Sequence, residues 1–290
     1  MERSDAARAI HAAVAIAASL SLRVDDTIVL FDSNKLTLRL LPDDVVARVA
    51  PAGQECLQLE VDVARQLGAA GCPVAALEPR VAPRVYERDG FRVTFWQHYE
   101  SVVPPRSRPP VAYATALAQL HTGLRTLDVA VPHFTDRVAE AQHLVATREQ
   151  TPALAEPDRE MLDDVLRDRR RAIVGQGAEQ PLHGEPHPGN LVGPDGRPRF
   201  VDFESVCRGP IEFDLAHVPS AVSAAYTGAD PQLVDECRLL VLAMVAAWRY
   251  DTDDRLPDGP RKGKQLLRAL RAGPPWPNLD GLTDEAGDEP

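Results

Sequence analysis

The sequence predicts an α+β fold in two lobes, a small β-rich one over residues 1–99 and a larger, mainly helical one over 100–290. Three features carry the prediction. Short apolar runs joined by turn residues fill much of the first third, the proline cluster VVPPRSRPP occupies 102–110, and beyond it apolar residues recur largely at steps of three and four. A chain of 290 residues with 44% hydrophobic content can bury its core without disulfide or metal staples. The junction of two such lobes is a natural place for a cleft.

The Ala-rich stretch AAVAIAASLSL at 12–22 reads as an N-terminal helix. A secretory leader is disfavoured because Glu2 and Asp5 stand beside Arg3 and Arg8 and no clear cleavage site follows. LTLRL at 36–40 and VVARVA at 45–50 flank Pro42, Asp43 and Asp44, a hairpin signature. In ECLQLEVDVARQLGAAG, Leu57, Ala64 and Leu67 share one face of a helix that Gly68 and Gly71 stop. RVYERDGFRVTFWQHY turns at Asp89 and Gly90 as a second hairpin. Past the prolines, VAYATALAQLHTGL, FTDRVAEAQHLVATREQ, EPDREMLDDVLRDRRRAIVG and DECRLLVLAMVAAWRY are helical by spacing, with short strands between the third and the fourth. The tail LTDEAGDEP has the composition of a frayed or disordered end, and no internal repeat is visible.

A formal charge of −11, from 43 acidic and 32 basic residues, argues against a nucleic-acid or anionic-membrane surface and suits a small cationic partner. Cys56, Cys72, Cys207 and Cys237 form no CxxC pair and lack histidines at zinc spacing, so they read as reduced packing residues. No apolar run approaches the length that crosses a bilayer. The expectation is a cytoplasmic protein, monomer or homodimer.

The stretch HGEPHPGNLV at 183–192 carries the chemistry. A histidine, one residue, a carboxylate, four residues and an asparagine follow the spacing of a protein-kinase catalytic loop, here His183, Glu185 and Asn190. Twelve residues after Asn190, Asp202 in VDFE stands where kinases place a metal-binding aspartate. Two hard-oxygen ligands, Asn190 and Asp202, suit a Mg²⁺ ion that takes its remaining oxygens from nucleotide phosphates and water. Glu185 would then orient an acceptor hydroxyl. A Gly/Pro turn with a capping aspartate is the alternative without chemistry.

With these residues in place, the segment resembles the signature of the aminoglycoside phosphotransferase family, small-molecule kinases with a protein-kinase-like fold and the pattern HGDxxxxN followed by IDW or IDF. The resemblance implies ATP or GTP with Mg²⁺ as cofactors, and a small hydroxylated substrate. It implies architectural roles for His183 and for Asp214 in EFDLA, whose carboxylate would accept hydrogen bonds from the loop amides, and a packed helix position for His121. Glu60 lies on the apolar stripe of its helix, where an unpaired carboxylate is costly. In the family such a glutamate pairs with a basic residue that touches the α and β phosphates, here Arg48, although a salt bridge without nucleotide is the bland alternative. Ser33 and Asn34 sit where the family has its phosphate-covering loop, and Gln97, His98 and Tyr99 where a hinge would meet adenine.

The chain departs from the pattern twice. Arg48 replaces the usual lysine, offering a planar fork instead of a point charge. Glu185 replaces aspartate, and its extra methylene adds about 1.3 Å of reach, enough to cost rate unless the loop compensates. Pro186 and Pro188 could hold such a shifted loop. Phosphoryl transfer relies on positioning and charge more than on a strong base, so glutamate is compatible with turnover.

Only eleven residues separate Asp202 from Asp214, which leaves no room for a peptide-docking activation segment. The expected reaction is therefore phosphorylation of a hydroxyl on an antibiotic, such as an aminoglycoside or a peptide or nucleoside antibiotic, giving resistance by inactivation. A metabolic kinase of the choline, homoserine or sugar type is a second reading, and a nucleotide-binding pseudokinase, motivated by Glu185 and Arg48, a third. Asp235, Glu236, Asp251, Asp253 and Asp254 are candidate holders of substrate ammonium groups, with helix capping or plain solvation as the alternative. His187 either touches substrate or caps a turn. Trp248 and Tyr250 either stack on substrate or pack the helix.

Overall fold

The structure, a computed structural model, describes residues 3–53, 56–100, 108–194, 196–256, 258–277 and 279. Most of the proline cluster, at 102–107, and the acidic tail lie outside the described residues. The fold is a mixed α+β one, with an antiparallel sheet in the N-terminal region and helices dominating the rest.

Helix α1 (Arg3–Ser19) precedes strands β1 (Val24–Asp32), β2 (Leu36–Pro42) and β3 (Val45–Pro51). Helix α2 (Cys56–Ala69), β4 (Tyr86–Arg88) and β5 (Phe91–Gln97) follow. The five strands form one antiparallel sheet in the order β1-β2-β3-β5-β4. Strand alternation decides what each face sees. Val45, Ala47 and Val49 of β3 point into a core shared with Ala9, Ala13 and Ile16 of α1. Arg48, between them, faces the other way, toward the cleft. The residue pattern does not announce β1: it is an edge strand with most of its residues exposed, including Val29 and Phe31, so no clear alternation marks it.

The helical part comprises α3 (Pro110–Leu124), α4 (Phe134–Ala146), α5 (Glu156–Ile173), the short α6 (Ile211–Leu215) and α7 (Ser220–Ala225), α8 (Pro231–Arg249) and α9 (Gly259–Ala272). Its core gathers the apolar faces of α4, α5, α8 and α9, including Val138, Leu162, Leu240 and Leu266. Four short strands hold the chemistry between α5 and α6. They are β6 (Glu179–Leu182) paired with β9 (Cys207–Pro210), and β7 (Leu191–Val192) paired with β8 (Arg199–Phe200). A second core, with α2 residues Val61 and Leu67, α3 residues Tyr113 and Leu117, and Phe200 and Phe203, joins the sheet region to the helices. It sets the strand carrying Arg48 over the loop carrying Asp202. The interval from Asp202 to Asp214 is filled by a 3₁₀ turn, β9 and most of α6, so the chain has no long segment there.

Candidate active site

The loop after β6 is held by one buried carboxylate. Asp214, fully buried on α6, accepts the backbone N–H of His183 at 2.9 Å and of Gly184 at 2.8 Å. His121 on α3 adds a third contact, Nε2 to Oδ2 at 2.9 Å. Burial alone would raise the Asp214 pKa, but His121, His183 and the loop amides reverse the effect and keep it lowered. His183 is buried and its pKa is pushed down by that burial, so the ring is neutral. Its Nε2–H donates to the Val201 carbonyl at 3.0 Å, and Nδ1 accepts the Glu185 amide at 3.3 Å. The ring therefore ties the loop after β6 to the segment leading to Asp202. Gly184 cannot be replaced: its φ is +89°, and a Cβ there would lie 1.9 Å from the Ser205 carbonyl oxygen.

The β7–β8 hairpin explains why residues twelve apart converge. Its register pairs Leu191 with Phe200, and the Val201 amide donates to the Asn190 carbonyl at 3.0 Å, so Asn190 and Asp202 leave the same end of the hairpin. Asn190 Nδ2 donates to the Glu185 carbonyl at 2.9 Å, which turns its Oδ1 toward other partners. Asp202 has left-handed backbone, φ 68° and ψ 65°, a conformation aspartate tolerates better than most residues. Its Oδ1 accepts from Arg48 Nη2 at 2.8 Å. Burial would raise the Asp202 pKa, and Arg48 and Lys35 more than offset it, leaving the carboxylate ionised. Asn190 and Asp202 line one cavity of 1130 Å³ together with Arg48, Glu60 and Glu185.

Arg48 bridges the two halves. It pairs with the fully buried Glu60 as well as with Asp202, which its planar fork permits and a lysine ammonium would not do in the same plane. Burial raises the Glu60 pKa and the Arg48 charge opposes it. Nearby, Lys35 pairs with Glu204, and both line the cavity. Ser33 and Asn34 lie in the same wall, as do Gln97, His98 and Tyr99. The Gln97 amide is engaged by the Ala76 carbonyl at 2.9 Å, His98 contacts Asp44 at 3.3 Å, and the Tyr99 hydroxyl accepts the Ala76 amide at 3.2 Å.

Glu185 has a partner that its motif does not reveal. Arg137, on α4, donates from Nη2 to its carboxylate and from Nη1 to the Gly184 carbonyl at 3.1 Å, while the guanidinium stacks 5.0 Å from the Trp248 ring centre. Burial would raise the Glu185 pKa, but Arg137, with His217 and His187, brings it down to about 2. The loop is braced from the far side by Tyr113, whose hydroxyl donates to the Pro186 carbonyl. His187 lines the cavity and also caps the turn at 188–190, its Nδ1 accepting the Gly189 amide at 3.0 Å.

The acidic candidates scatter. Glu236 pairs with Arg169 and Asp235 with Arg238, and neither lines the cavity; Asp251 and Asp253 do not line it either. Asp254 does, paired with Arg249 at 3.2 Å. Trp248 is in the cavity wall, whereas Tyr250 packs against α9 near Gly263. Lys35 and His217 in the cavity wall, and Arg137 behind Glu185, are among the residues that spacing rules miss. A signal for Lys35 existed in composition: the chain has 29 arginines and three lysines, and Lys35 is the only lysine before residue 262.

A family model for the phosphotransferase enzyme family matches residues 32–262. No curated protein sequence matches the chain. Among solved structures it is similar to the amicoumacin kinase hAmiN in complex with AMP-PNP, Ca²⁺ and Ami, at 13% identity and a TM-score of 0.71, covering 98% of this chain and 100% of that one. It is also similar to a choline/ethanolamine kinase family protein from Mesorhizobium loti, at 18% identity and TM-score 0.63, covering 93% and 94%. An aminoglycoside-3'-phosphotransferase of type VIII follows at 19% identity and TM-score 0.53, covering 76% and 93%. At these identities the likeness is one of fold.

Proposed function

The chain belongs to the phosphotransferase enzyme family, and from that premise we propose that it transfers the γ-phosphate of ATP or GTP to a hydroxyl of a small antibiotic or related natural product, inactivating it. The observation that carries the reading is the meeting of Asn190, Asp202 and Glu185 in one cleft under Arg48. Whole-chain similarity to an antibiotic kinase favours the antibiotic acceptor. Similarity to a choline/ethanolamine kinase family protein motivates a metabolic acceptor as the second reading.

The residues fit a divalent ion. Asn190 Oδ1 and Asp202 Oδ2 accept no hydrogen bond among the described residues and line the same cavity, a hard-oxygen donor pair that phosphate oxygens and water would complete. Bound there, Mg²⁺ would neutralise charge on the phosphates during transfer. Arg48 would hold phosphate oxygens while Glu60 fixes its guanidinium. Lys35 adds a second cation at the same end.

Transfer forms a bond between the acceptor oxygen and the γ-phosphorus as the bond to the nucleoside diphosphate oxygen breaks. Glu185, with its pKa near 2, is too weak a base to keep the hydroxyl proton. It acts by accepting the hydroxyl's hydrogen bond and aiming a lone pair, and the proton comes to rest on the product phosphate, whose second pKa of about 6 is higher, before solvent takes it. This division of labour makes the glutamate compatible with turnover and disfavours the pseudokinase reading.

Nucleoside diphosphate release with panels of hydroxylated antibiotics and metabolites tests the proposal. Asp202→Ala is expected to lose Mg²⁺-dependent stabilisation by nucleotide and to lower turnover by about 10²–10³-fold. Unchanged turnover in that variant would remove the assignment.

A further inference from the structure

The acceptor end of the cleft has the wrong chemistry for a polyammonium ligand. It is built by α8, the loop after it, and α9. Val245, Trp248, Leu256, Leu266 and Leu279 make its wall mostly apolar. Among the described residues it has two carboxylates, and each forms an ion pair with an arginine. Glu185 is held by Arg137, and Asp254 by Arg249. Asp254 is further committed to the fold: its Oδ1 accepts the Leu256 amide at 3.2 Å, and its Oδ2, buried and without a hydrogen-bond partner, lies over Gly259, where a Cβ would come within 2.5 Å. That places its charge at the first turn of α9, where the helix dipole favours an anion.

What remains unmatched is positive. Lys262 lines the same wall and, among the described residues, has no carboxylate within ion-pair distance. Lys262 thus adds a positive charge to a wall whose carboxylates, among the described residues, each already face an arginine. A buried histidine also awaits a partner. His217 is 2% exposed, lines the cavity, and its Nε2 has no hydrogen-bond partner among the described residues.

We propose that the acceptor is a hydroxylated molecule with an apolar, ring-like body against Trp248 and the leucines and an anionic group, such as a carboxylate, on Lys262, rather than an aminoglycoside-type polycation. The inference rests on the proposed phosphotransfer reading and narrows its substrate class. Burial of the apolar body supplies affinity, and the charge supplies selection, because a like-charged ammonium facing Lys262 is repelled and, among the described residues, meets only carboxylates that already hold an arginine.

Three probes differing in one group test it: para-hydroxymethyl benzoate, its methyl ester, and para-hydroxymethyl benzylamine, with kanamycin as the polyammonium. Their affinities for the full chain are measured by ligand-observed NMR titration, independently of nucleotide. The benzoate is expected to bind at least about tenfold tighter than the benzylamine, the size of one favourable charge contact. Lys262→Met is expected to remove the preference and Lys262→Glu to reverse it. Tighter binding of the benzylamine or kanamycin, equal binding of all probes including none, or an unchanged ratio in Lys262→Glu each overturns the inference. Mg²⁺·ATP affinity of the same samples reads the proposed function separately. Selection of the benzoate without nucleotide binding sinks that function alone, and turnover of kanamycin sinks the present inference alone.

Discussion

Arg137 holds the carboxylate of Glu185 from outside its loop, donating to it and to the Gly184 carbonyl while stacking on Trp248. One side chain from α4 thus fixes both the charge and the position of the group that would meet the acceptor. The arrangement accounts for the glutamate: its longer arm reaches Arg137, and Arg137 returns it to one place.

Removing the clamp should expose a titration. The Glu185 pKa of about 2 lies below its ordinary 4.5, so the ionised form contributes stability that is fully present above about pH 4.5 and is lost as pH falls toward 2. In Arg137→Met the opposing cation is gone and burial dominates, so the pKa rises. The rate should gain an acid limb with an apparent pKa above 4.5, absent from the parent between pH 5 and 8, alongside a loss of about 3 kcal/mol of stability for a buried charge left unpaired. Arg137→Lys should restore much of the stability without the limb. A pH–rate profile identical to the parent's in Arg137→Met would show that Arg137 does not position Glu185.

Shortening the carboxylate separates reach from charge. Glu185→Asp keeps the charge but withdraws it from Arg137, and misplacement of about 1 Å can cost about 100-fold in rate. Glu185→Gln keeps the reach and loses the charge, and should depress kcat with little change in nucleotide affinity. If Glu185→Asp is faster than the parent, the glutamate is not matched to its clamp. Steady-state kinetics with any turned-over acceptor decides.

Gly184→Ala should damage folding before catalysis. The left-handed φ of +89° and the 1.9 Å approach to the Ser205 carbonyl leave no space for a methyl group. A loss of about 3 kcal/mol or more is expected from urea unfolding. Parent-like stability would mean the loop can move away from Ser205 at little cost.

Much of the candidate site was legible because its parts are local. His183, Glu185 and Asn190 lie within eight residues, and the β7–β8 hairpin that adds Asp202 is closed by a short connection. Glu60 was legible for another reason: a carboxylate on an apolar helix stripe implies a buried cation, and Arg48 is that cation in the structure. Arg137 was not, since it lies 48 residues from Glu185 and sits on α4, whose pattern announces only a helix. The acidic residues misled in the same way. Composition makes them equivalent, yet Asp235 and Glu236 pair on the surface while Asp254 is turned inward against Arg249 and Gly259.

The sequence by itself determined the α+β class, the motif loop at 183–190 and the family, because periodicity, turn chemistry and short-range spacing are properties of neighbouring residues. Only the tertiary structure decided which charges oppose which across the cleft, and therefore which side chains are left to face its far wall. Ion pairing depends on separations of a few ångströms between side chains drawn from helices far apart in the chain, and no local pattern encodes that distance.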